Sequence, residues 1–138
     1  RSKEKDSFPG CYDISSAGHI SAGDESLESA IRELNEELGI KAEKEQLKEI
    51  GIHTGIMNGN FHGREFKNHE ISRVYIYEEP IDITELKLQK EEVEEVRWMD
   101  SEELLKKVRN GEIKNCLFED EIVICSLKTE NCTKTNNL

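Results

Sequence analysis

The sequence predicts a single α/β domain in which helices cover both faces of a β-sheet. Segments rich in β-branched and aromatic residues alternate along the chain with segments of helical periodicity, and a sheet between helices is the natural packing for this order. The length of 138 residues fits one domain with its own core. With 35% apolar and 36% charged residues the chain is polar, but its composition is not that of a disordered protein.

The first half of the chain is predicted to contain three strands and one helix. Residues 11–16 are a short strand candidate that leads into a glycine, and a helix follows over about residues 25–38. Residues 47–54 are predicted as a strand because isoleucines alternate with Gly and His. Residues 55–63, rich in Gly and Asn, are predicted as a turn or loop. Residues 70–78 are the clearest strand, since they are rich in β-branched and aromatic side chains.

The second half is predicted to contain one more strand and two more helices. Residues 93–99 are the strand, and residues 100–103 (DSEE) have the pattern of a capping box before a helix over residues 102–109, which Gly111 ends. Residues 117–127 carry an apolar stripe. They are predicted as a third helix, with a strand as the alternative.

Three glutamates of the first predicted helix share one face. At about 100° per residue, Glu33, Glu36 and Glu37 fall within about 100° of one another. Like charges stacked in this way destabilise an ordinary surface helix, whereas a hard divalent cation takes carboxylate oxygens as its preferred ligands. A solvated acidic helix is the alternative interpretation. The order of glycine, loop and helix favours the metal site.

The ends of this helix and the loop before it carry further signals. Asp24 is predicted as the N-cap, and Gly39 stands where a left-handed C-terminal residue is expected. Gly18 opens the loop. A glycine there lets the backbone approach a bound group closely, and its carbonyl can serve as a metal ligand.

The segment over residues 18–40 resembles the Nudix box, in which a glycine, five residues, a glutamate and seven residues precede Arg-Glu-apolar-x-Glu-Glu-x-Gly-apolar. The matched positions are Gly18, Arg32, Glu33, Leu34, Glu36, Glu37, Gly39 and Ile40. Asp24 stands at the first glutamate of the box, and Glu25 follows it directly. In the family that glutamate mainly orients the arginine and the loop, so the replacement is expected to affect loop geometry and rate. A pattern of this length is a specific signal.

The resemblance implies a Nudix fold, which is a mixed β-sheet in an α/β/α sandwich. It extends over most of residues 8–127, because the later segment KEEVEEVRWMDSEEL (residues 90–104) also follows the family pattern. We therefore expect a single Nudix domain over residues 1–128 that lacks the upstream strands usual in the family. Residues 129–138 are polar and are expected to form a flexible C-terminal tail.

The resemblance also implies a metal-dependent hydrolase that cleaves a diphosphate bond in a nucleoside diphosphate linked to another moiety. Glu33, Glu36 and Glu37, helped by the Gly18 carbonyl, would hold Mg²⁺ or Mn²⁺. The cation would neutralise the phosphates and lower the pKa of a bound water. Arg32 is a catalytic candidate that is expected to pair with a box carboxylate and orient it.

The general base and the substrate contacts have several candidates. Glu33, Glu36 or Glu92 is expected to act as the base. Glu70 or Glu92 is expected to complete the site from outside the helix, with an exposed charge at a strand end as the alternative for each. Glu70 is also a candidate for substrate binding, as is His19 in the box loop.

Aromatic residues outside the box are weighed against ordinary packing. Phe61 is a substrate-binding candidate because it could stack on a base, with core packing or anchoring of a loop as the alternative. His53 lies near the glycine-rich segment, and solvent exposure is its default interpretation. Trp98 is predicted to lie in the core.

Residues 12–19 (YDISSAGH) narrow the resemblance to the Nudix subgroup related to isopentenyl diphosphate isomerase. The isomerases have a cysteine before the Gly-His pair that acts in proton transfer, and Glu70 falls where they keep their other catalytic carboxylate. Ala17 occupies the cysteine position and has no proton to give, so a hydrolase is the first hypothesis. An isomerase and a catalytically silent Nudix domain that binds a ligand or partner are the alternatives.

Charge and cysteine content limit the partners. A net charge of −11 argues against a nucleic-acid polymer or a membrane surface, and an anionic diphosphate substrate would need an intervening cation. The cysteines show neither C-x-x-C pairing nor zinc spacing: Cys11, Cys116, Cys125 and Cys132. We expect a cytoplasmic protein with reduced thiols, without a signal peptide or membrane span, that acts on a small-molecule diphosphate. The resemblance allows a homodimer.

Overall fold

Helices flank one long β-hairpin in the computed structural model, which describes the backbone of residues 1–135 and the side chains of residues 1–127. The elements in chain order are α1 (Ser26–Leu38), a 3₁₀ turn (Lys44–Gln46), β1 (Leu47–Phe61), β2 (Arg64–Tyr77), α2 (Ser101–Arg109) and α3 (Glu119–Thr135). The three predicted helices are therefore confirmed. Within the described residues, no helix is both long enough and apolar enough to cross a membrane.

The strands of the hairpin are longer than the sequence predicts. They pair antiparallel along their whole length, so most of the predicted loop over residues 55–63 is strand. The turn uses only His62 and Gly63, whose φ angles of 52° and 75° are both positive, as in a type I′ turn. The loop prediction was wrong because Gly and Asn have weak β-propensity of their own, and pairing with the partner strand overrides it.

Other residues of the described part of the chain cover one face of this hairpin. On that face, His53 is 3% exposed, and a Cβ built on Gly55 would lie 2.7 Å from the Phe118 ring, which directly precedes α3. Three isoleucines are exposed on β1 and β2: Ile52, Ile56 and Ile71. Helix α3 therefore packs against the face that carries His53.

Two predicted strands are absent from the described part of the chain. Residues 11–16 contribute a single parallel bridge between Tyr12 and Asn115, and residues 93–99 form no strand. A strand needs a neighbour that offers unpaired N–H and C=O groups, and a suitable composition does not provide one. Trp98 in the second segment is 70% exposed, so its predicted place in the core was wrong.

Helix α2 begins with the cap that its sequence indicates. The Asp100 side chain accepts hydrogen bonds from the amides of Glu102 and Glu103, both at 3.0 Å. Helix α3 extends to Thr135. The flexible tail expected over residues 129–138 stays a prediction, and residues 136–138 lie outside the described part of the chain.

The core draws on distant parts of the chain. Its buried apolar residues are Cys11, Leu38, Ala42, Val93 and Ile122. Cys11 and Cys116 form no disulfide among the described residues. Burial raises the pKa of Cys116 to about 12, so this thiol stays protonated at neutral pH.

Candidate functional site

Helix α1 carries the predicted metal ligands, and the sequence predicts its two ends unequally well. Gly39 is left-handed, with a φ of 74°, and donates its amide to the Asn35 carbonyl at 2.9 Å, as expected. At the other end the N-cap is Glu25, so the prediction of Asp24 was wrong. The Asp24 amide donates instead to the Ser21 carbonyl at 3.0 Å, in a turn before the helix.

Gly18 and Glu33 are in direct contact. The Glu33 side chain lies so close to Gly18 that a Cβ at this position would overlap its carboxyl group. Glycine at this position therefore lets the loop approach α1 without moving the Glu33 carboxyl group. The contact places the Gly18 backbone and the Glu33 carboxylate, two of the predicted metal ligands, side by side.

Arg32 pairs with two carboxylates of the box. Its Nη2 lies 3.0 Å from Oε1 of Glu33, and its Nη1 donates to Oε2 of Glu36 at 3.4 Å. The pairing expected of Arg32 is thus present. One guanidinium thus contacts both side chains.

Glu37 is the buried carboxylate of the box. It is 8% exposed, and its Oε2 accepts a hydrogen bond from the Ala17 amide at 3.2 Å. Burial raises the pKa of the Glu37 carboxyl, and the nearby charge of Glu33 adds to this effect, while the Ala17 amide lowers it. A buried carboxylate of this kind is stabilised by a nearby cation or by protonation.

Residues 87–93 dock on the C-terminal end of α1. The amides of Lys87 and Gln89 donate to the carbonyls of Leu38 and Glu37 at 3.0 Å and 2.9 Å, which satisfies carbonyls that a helix end leaves open. The Glu92 amide in turn donates to the Gln89 carbonyl at 2.9 Å. This turn holds Glu92 beside the helix that carries the box.

Lys5 lies beside Glu92. Its Nζ forms an ion pair with Oε2 of Glu92, and its charge also lowers the pKa of Glu37, against the larger effect of burial. Sequence reasoning missed Lys5. A single lysine in a charged N-terminal segment gives no signal of its own, because its partners are remote in sequence.

Glu70 lies on the side of the hairpin that faces α3. It accepts a hydrogen bond from Nδ2 of Asn68 at 2.7 Å, and its charge helps to raise the pKa of Glu121, an effect that is due first to burial. Of the two glutamates expected to complete the site, Glu92 is the one whose contacts lead to α1. A role of Glu70 in the site stays a prediction.

The other two substrate-binding candidates differ in setting. His19 is exposed on the loop before α1. Phe61 packs edge-on against Phe8 and Phe66, with ring centroids 4.6 Å and 5.6 Å away. It also borders an open groove of about 440 Å³ lined by Asp6, Ser7, Phe61, His62, Arg64, Glu65 and Phe66. Phe61 thus combines the packing role with a position beside a groove.

His53 is buried, so the expectation of solvent exposure was wrong. Its Nδ1 lies 2.6 Å from Oδ2 of Asp120 on α3, and its ring contacts Phe118 with centroids 4.4 Å apart. The signal that could have indicated this burial is the glycine two positions away on each side, Gly51 and Gly55. Side chains that alternate with small residues on one strand face lie where a helix can approach closely.

The residues of the box suit a hard divalent cation in their chemistry. In the part of the chain that the structure describes, no three His, Cys, Asp or Glu side chains converge closely enough to bind a metal ion. The candidate ligands are nevertheless carboxylates. Glu37 among them is buried, and the box arginine, Arg32, pairs with Glu33 and Glu36. The Gly18 backbone and the Glu33 carboxylate already adjoin. These are the oxygen ligands that Mg²⁺ and Mn²⁺ prefer.

A family model matches most of the chain. The model for the NUDIX domain aligns with residues 1–118. No solved structure matches at a significant level.

The curated relatives that match the chain are longer proteins. The chain is 48% identical to Nudix hydrolase 3 of Arabidopsis thaliana over 105 residues, which is 75% of the chain and 13% of that protein. An uncharacterized Nudix hydrolase of Clostridium acetobutylicum is 43% identical over 64% of the chain and 41% of its own length. One from Listeria monocytogenes is 29% identical over 88% of the chain and 65% of its own length. The chain thus spans less than two thirds of each relative.

Proposed function

The chain belongs to the Nudix family, and from this premise we propose that it is a hydrolase that cleaves the diphosphate bond of a nucleoside diphosphate linked to another moiety, with Mg²⁺ or Mn²⁺ as cofactor. The relatives are named as Nudix hydrolases, and divalent cations are generally used in this family. The observation that carries the proposal is the contact of Gly18 with Glu33. It brings the loop and the helix of the box together at two candidate ligands.

In this proposal Glu33, Glu36 and Glu37 hold the cation, with help from the Gly18 carbonyl. When bound, the cation neutralises phosphate charge and lowers the pKa of a water. Arg32 keeps Glu33 and Glu36 oriented through its two ion pairs.

A carboxylate near the box accepts the proton of the attacking water. Glu92 suits this role because residues 87–93 hold it beside α1 and because it is not one of the proposed metal ligands. Glu33 and Glu36 are the other candidates. A base acts on a water within hydrogen-bond reach, so its position beside the box is the first requirement.

The isomerase alternative gains no support from Ala17. Its side chain carries no exchangeable proton, and its amide is already used as a donor to Glu37. The silent binding domain has one observation in its favour. The box carboxylates do not converge on one point among the described residues, as they would in a site already arranged for metal.

Phosphorus NMR tests the proposal directly. A pool of nucleoside diphosphate sugars, dinucleotides, nucleoside triphosphates and isopentenyl diphosphate is followed with Mg²⁺ present. We expect loss of one diphosphate signal with wild-type protein. The rate of this loss should be lower by about 100-fold or more in Glu37→Gln, and the exposed control Glu45→Gln should have the wild-type rate. A new dimethylallyl diphosphate signal would establish the isomerase instead. No change in any signal would contradict both enzyme hypotheses and favour the catalytically silent binding domain.

A further inference from the structure

The tip of the β-hairpin carries two phenylalanines on one face. Phe61 lies opposite Arg64 in the strand register, and Gly59 lies opposite Phe66, so the side chains of Phe61, Arg64 and Phe66 project from the same face. A Cβ on Gly59 would lie only 2.7 Å from the Phe61 ring. This ring therefore lies back over its own strand, with its centroid 5.6 Å from that of Phe66.

A third ring joins the pair from the N-terminal segment. Phe8 packs edge-on against both, with its centroid 4.6 Å from that of Phe61 and 5.8 Å from that of Phe66. The φ angle of Phe8 is 49°, a left-handed conformation that bulky residues rarely adopt. The N-terminal segment thus meets the hairpin tip through a residue whose backbone is strained.

Two basic side chains hold the backbone on either side of Phe8. Nη2 of Arg1 donates to the Ser7 carbonyl at 3.2 Å, and Nζ of Lys114 donates to the Pro9 carbonyl at 2.6 Å. Strained backbone conformations persist where surrounding contacts determine them, and they are frequent at ligand sites. The contacts around Phe8 restrain this part of the chain in the same way.

The groove between the hairpin tip and the N-terminal segment has the size and the lining of a small-molecule site. Its volume of about 440 Å³ lies within the range of about 300–1,000 Å³ that such sites occupy. Phe61 and Phe66 give it half-buried aromatic surface. Arg64 can donate hydrogen bonds there, and Asp6 and Glu65 can accept them.

The same N-terminal segment also contacts Glu92, a proposed general base. Lys5 forms an ion pair with Glu92, and the Ser2 amide donates to the Glu92 carbonyl at 2.8 Å. Asp6, the residue after Lys5, lines the groove. One short segment therefore connects Glu92 with the groove.

We propose that this groove binds the nucleobase of the substrate. The inference rests on the proposed function, in which the substrate is a nucleoside diphosphate, and it names the residues that hold the base. Every nucleobase has a flat face that stacks on aromatic rings, and this face meets Phe61 or Phe66. The edge of a base carries hydrogen-bond donors and acceptors, which meet Asp6, Glu65 and Arg64.

Nucleosides, which carry no phosphate, test the groove without metal or catalysis. Adenosine, guanosine, cytidine and uridine are each titrated into the protein, with ribose as the control ligand, and the amide signals are followed in ¹H–¹⁵N NMR spectra. We expect at least one nucleoside to shift the amides of residues 61–66 in a saturable manner. Ribose should leave these signals unchanged.

Replacement of both rings should weaken this binding. Phe61→Leu combined with Phe66→Leu keeps apolar side chains but removes the stacking surface, so we expect affinity for the nucleoside to fall by about fivefold or more, the scale of one stacking contact. The control is Trp98→Leu, which removes an exposed aromatic residue that does not line the groove, and it should bind like wild type. If the double variant does not fold, the two single variants replace it, and at least one of them should show the loss.

The outcomes separate this inference from the proposed function. No shift at residues 61–66 with any nucleoside, or wild-type affinity in the leucine variants, would overturn the nucleobase site, whether or not the protein hydrolyses diphosphates. Saturable nucleoside binding that depends on the rings would support the site, even in a protein whose phosphorus NMR spectra contradict the hydrolase. In an active hydrolase, the leucine variants should raise KM about fivefold with kcat nearly unchanged, as expected for lost ground-state binding.

Discussion

Single residues at the box show where sequence spacing is informative and where it is not. The motif predicted that Arg32 pairs with a box carboxylate, and its contact with Glu33 is present in the structure. The contact of Gly18 with Glu33 was not predicted, because it depends on how the loop packs on the helix. The contacts of Lys5 and His53 were not predicted. Their partners, Glu92 and Asp120, are remote in sequence, so no local pattern indicates them.

Gly18→Ala is predicted to damage the site specifically. The added methyl group would overlap the Glu33 carboxyl group, so either the loop or the glutamate must move away from the other. We expect Mn²⁺ affinity to fall by about tenfold or more, on the scale of lost ligand positioning, and Tm to fall by a few degrees. Calorimetric titration and thermal unfolding measure the two effects.

The control for this substitution is Gly51→Ala. A Cβ there would meet Ile124 at an ordinary contact distance of 3.4 Å, so the methyl group fits. If both alanine variants bound Mn²⁺ like wild type, the contact between Gly18 and Glu33 would not be part of a metal site.

At the scale of elements, the helices were predicted better than the strands. Capping residues and apolar periodicity are local, and α2 begins beside its predicted cap, Asp100. The hairpin turn at His62 and Gly63 was missed because strand pairing is decided by the partner strand and not by the propensity of residues 55–63. For the same reason, residues 93–99 have a suitable composition but form no strand.

The packing of α3 on the hairpin predicts a pH dependence of stability. Glu121 in its first turn is 8% exposed, and burial raises its pKa above the ordinary value of 4.5. The protonated form is therefore the one that the fold favours. The stabilisation is fully present below about pH 4.5 and is lost as the pH rises through the higher pKa of the folded protein.

Glu121→Gln is accordingly predicted to raise Tm at pH 8 by roughly 2–4 °C, the shift that about 1 kcal/mol produces in a chain of this size. The gain should disappear near pH 4, where the glutamate is itself neutral. The exposed Glu79→Gln serves as the control, with no gain at either pH. A gain for Glu121→Gln that persisted unchanged at pH 4 would show that burial of charge is not its cause.

At the scale of the whole molecule, the family match over residues 1–118 confirms the predicted α/β class and Nudix fold. The domain limits of residues 1–128 and the cytoplasmic location stay predictions, as do a homodimer and a small-molecule diphosphate substrate. The net charge of −11 supports the proposed need for a cation, since an acidic protein repels an anionic substrate. Composition predicts the need for a cation, but it cannot predict the positions of the ligands. Those positions depend on how the box loop, helix α1 and residues 87–93 pack together.

The central claim is that the box glutamates together bind a divalent cation, and calorimetric titration of Mg²⁺ tests it most directly. Wild type is compared with Glu33→Gln, Glu36→Gln and Glu37→Gln, and with the exposed control Glu45→Gln. We predict binding by wild type and by the control, and affinity weaker by about tenfold or more in each box variant. Absence of Mg²⁺ binding by wild type, or equal affinity in all four variants, would contradict the claim.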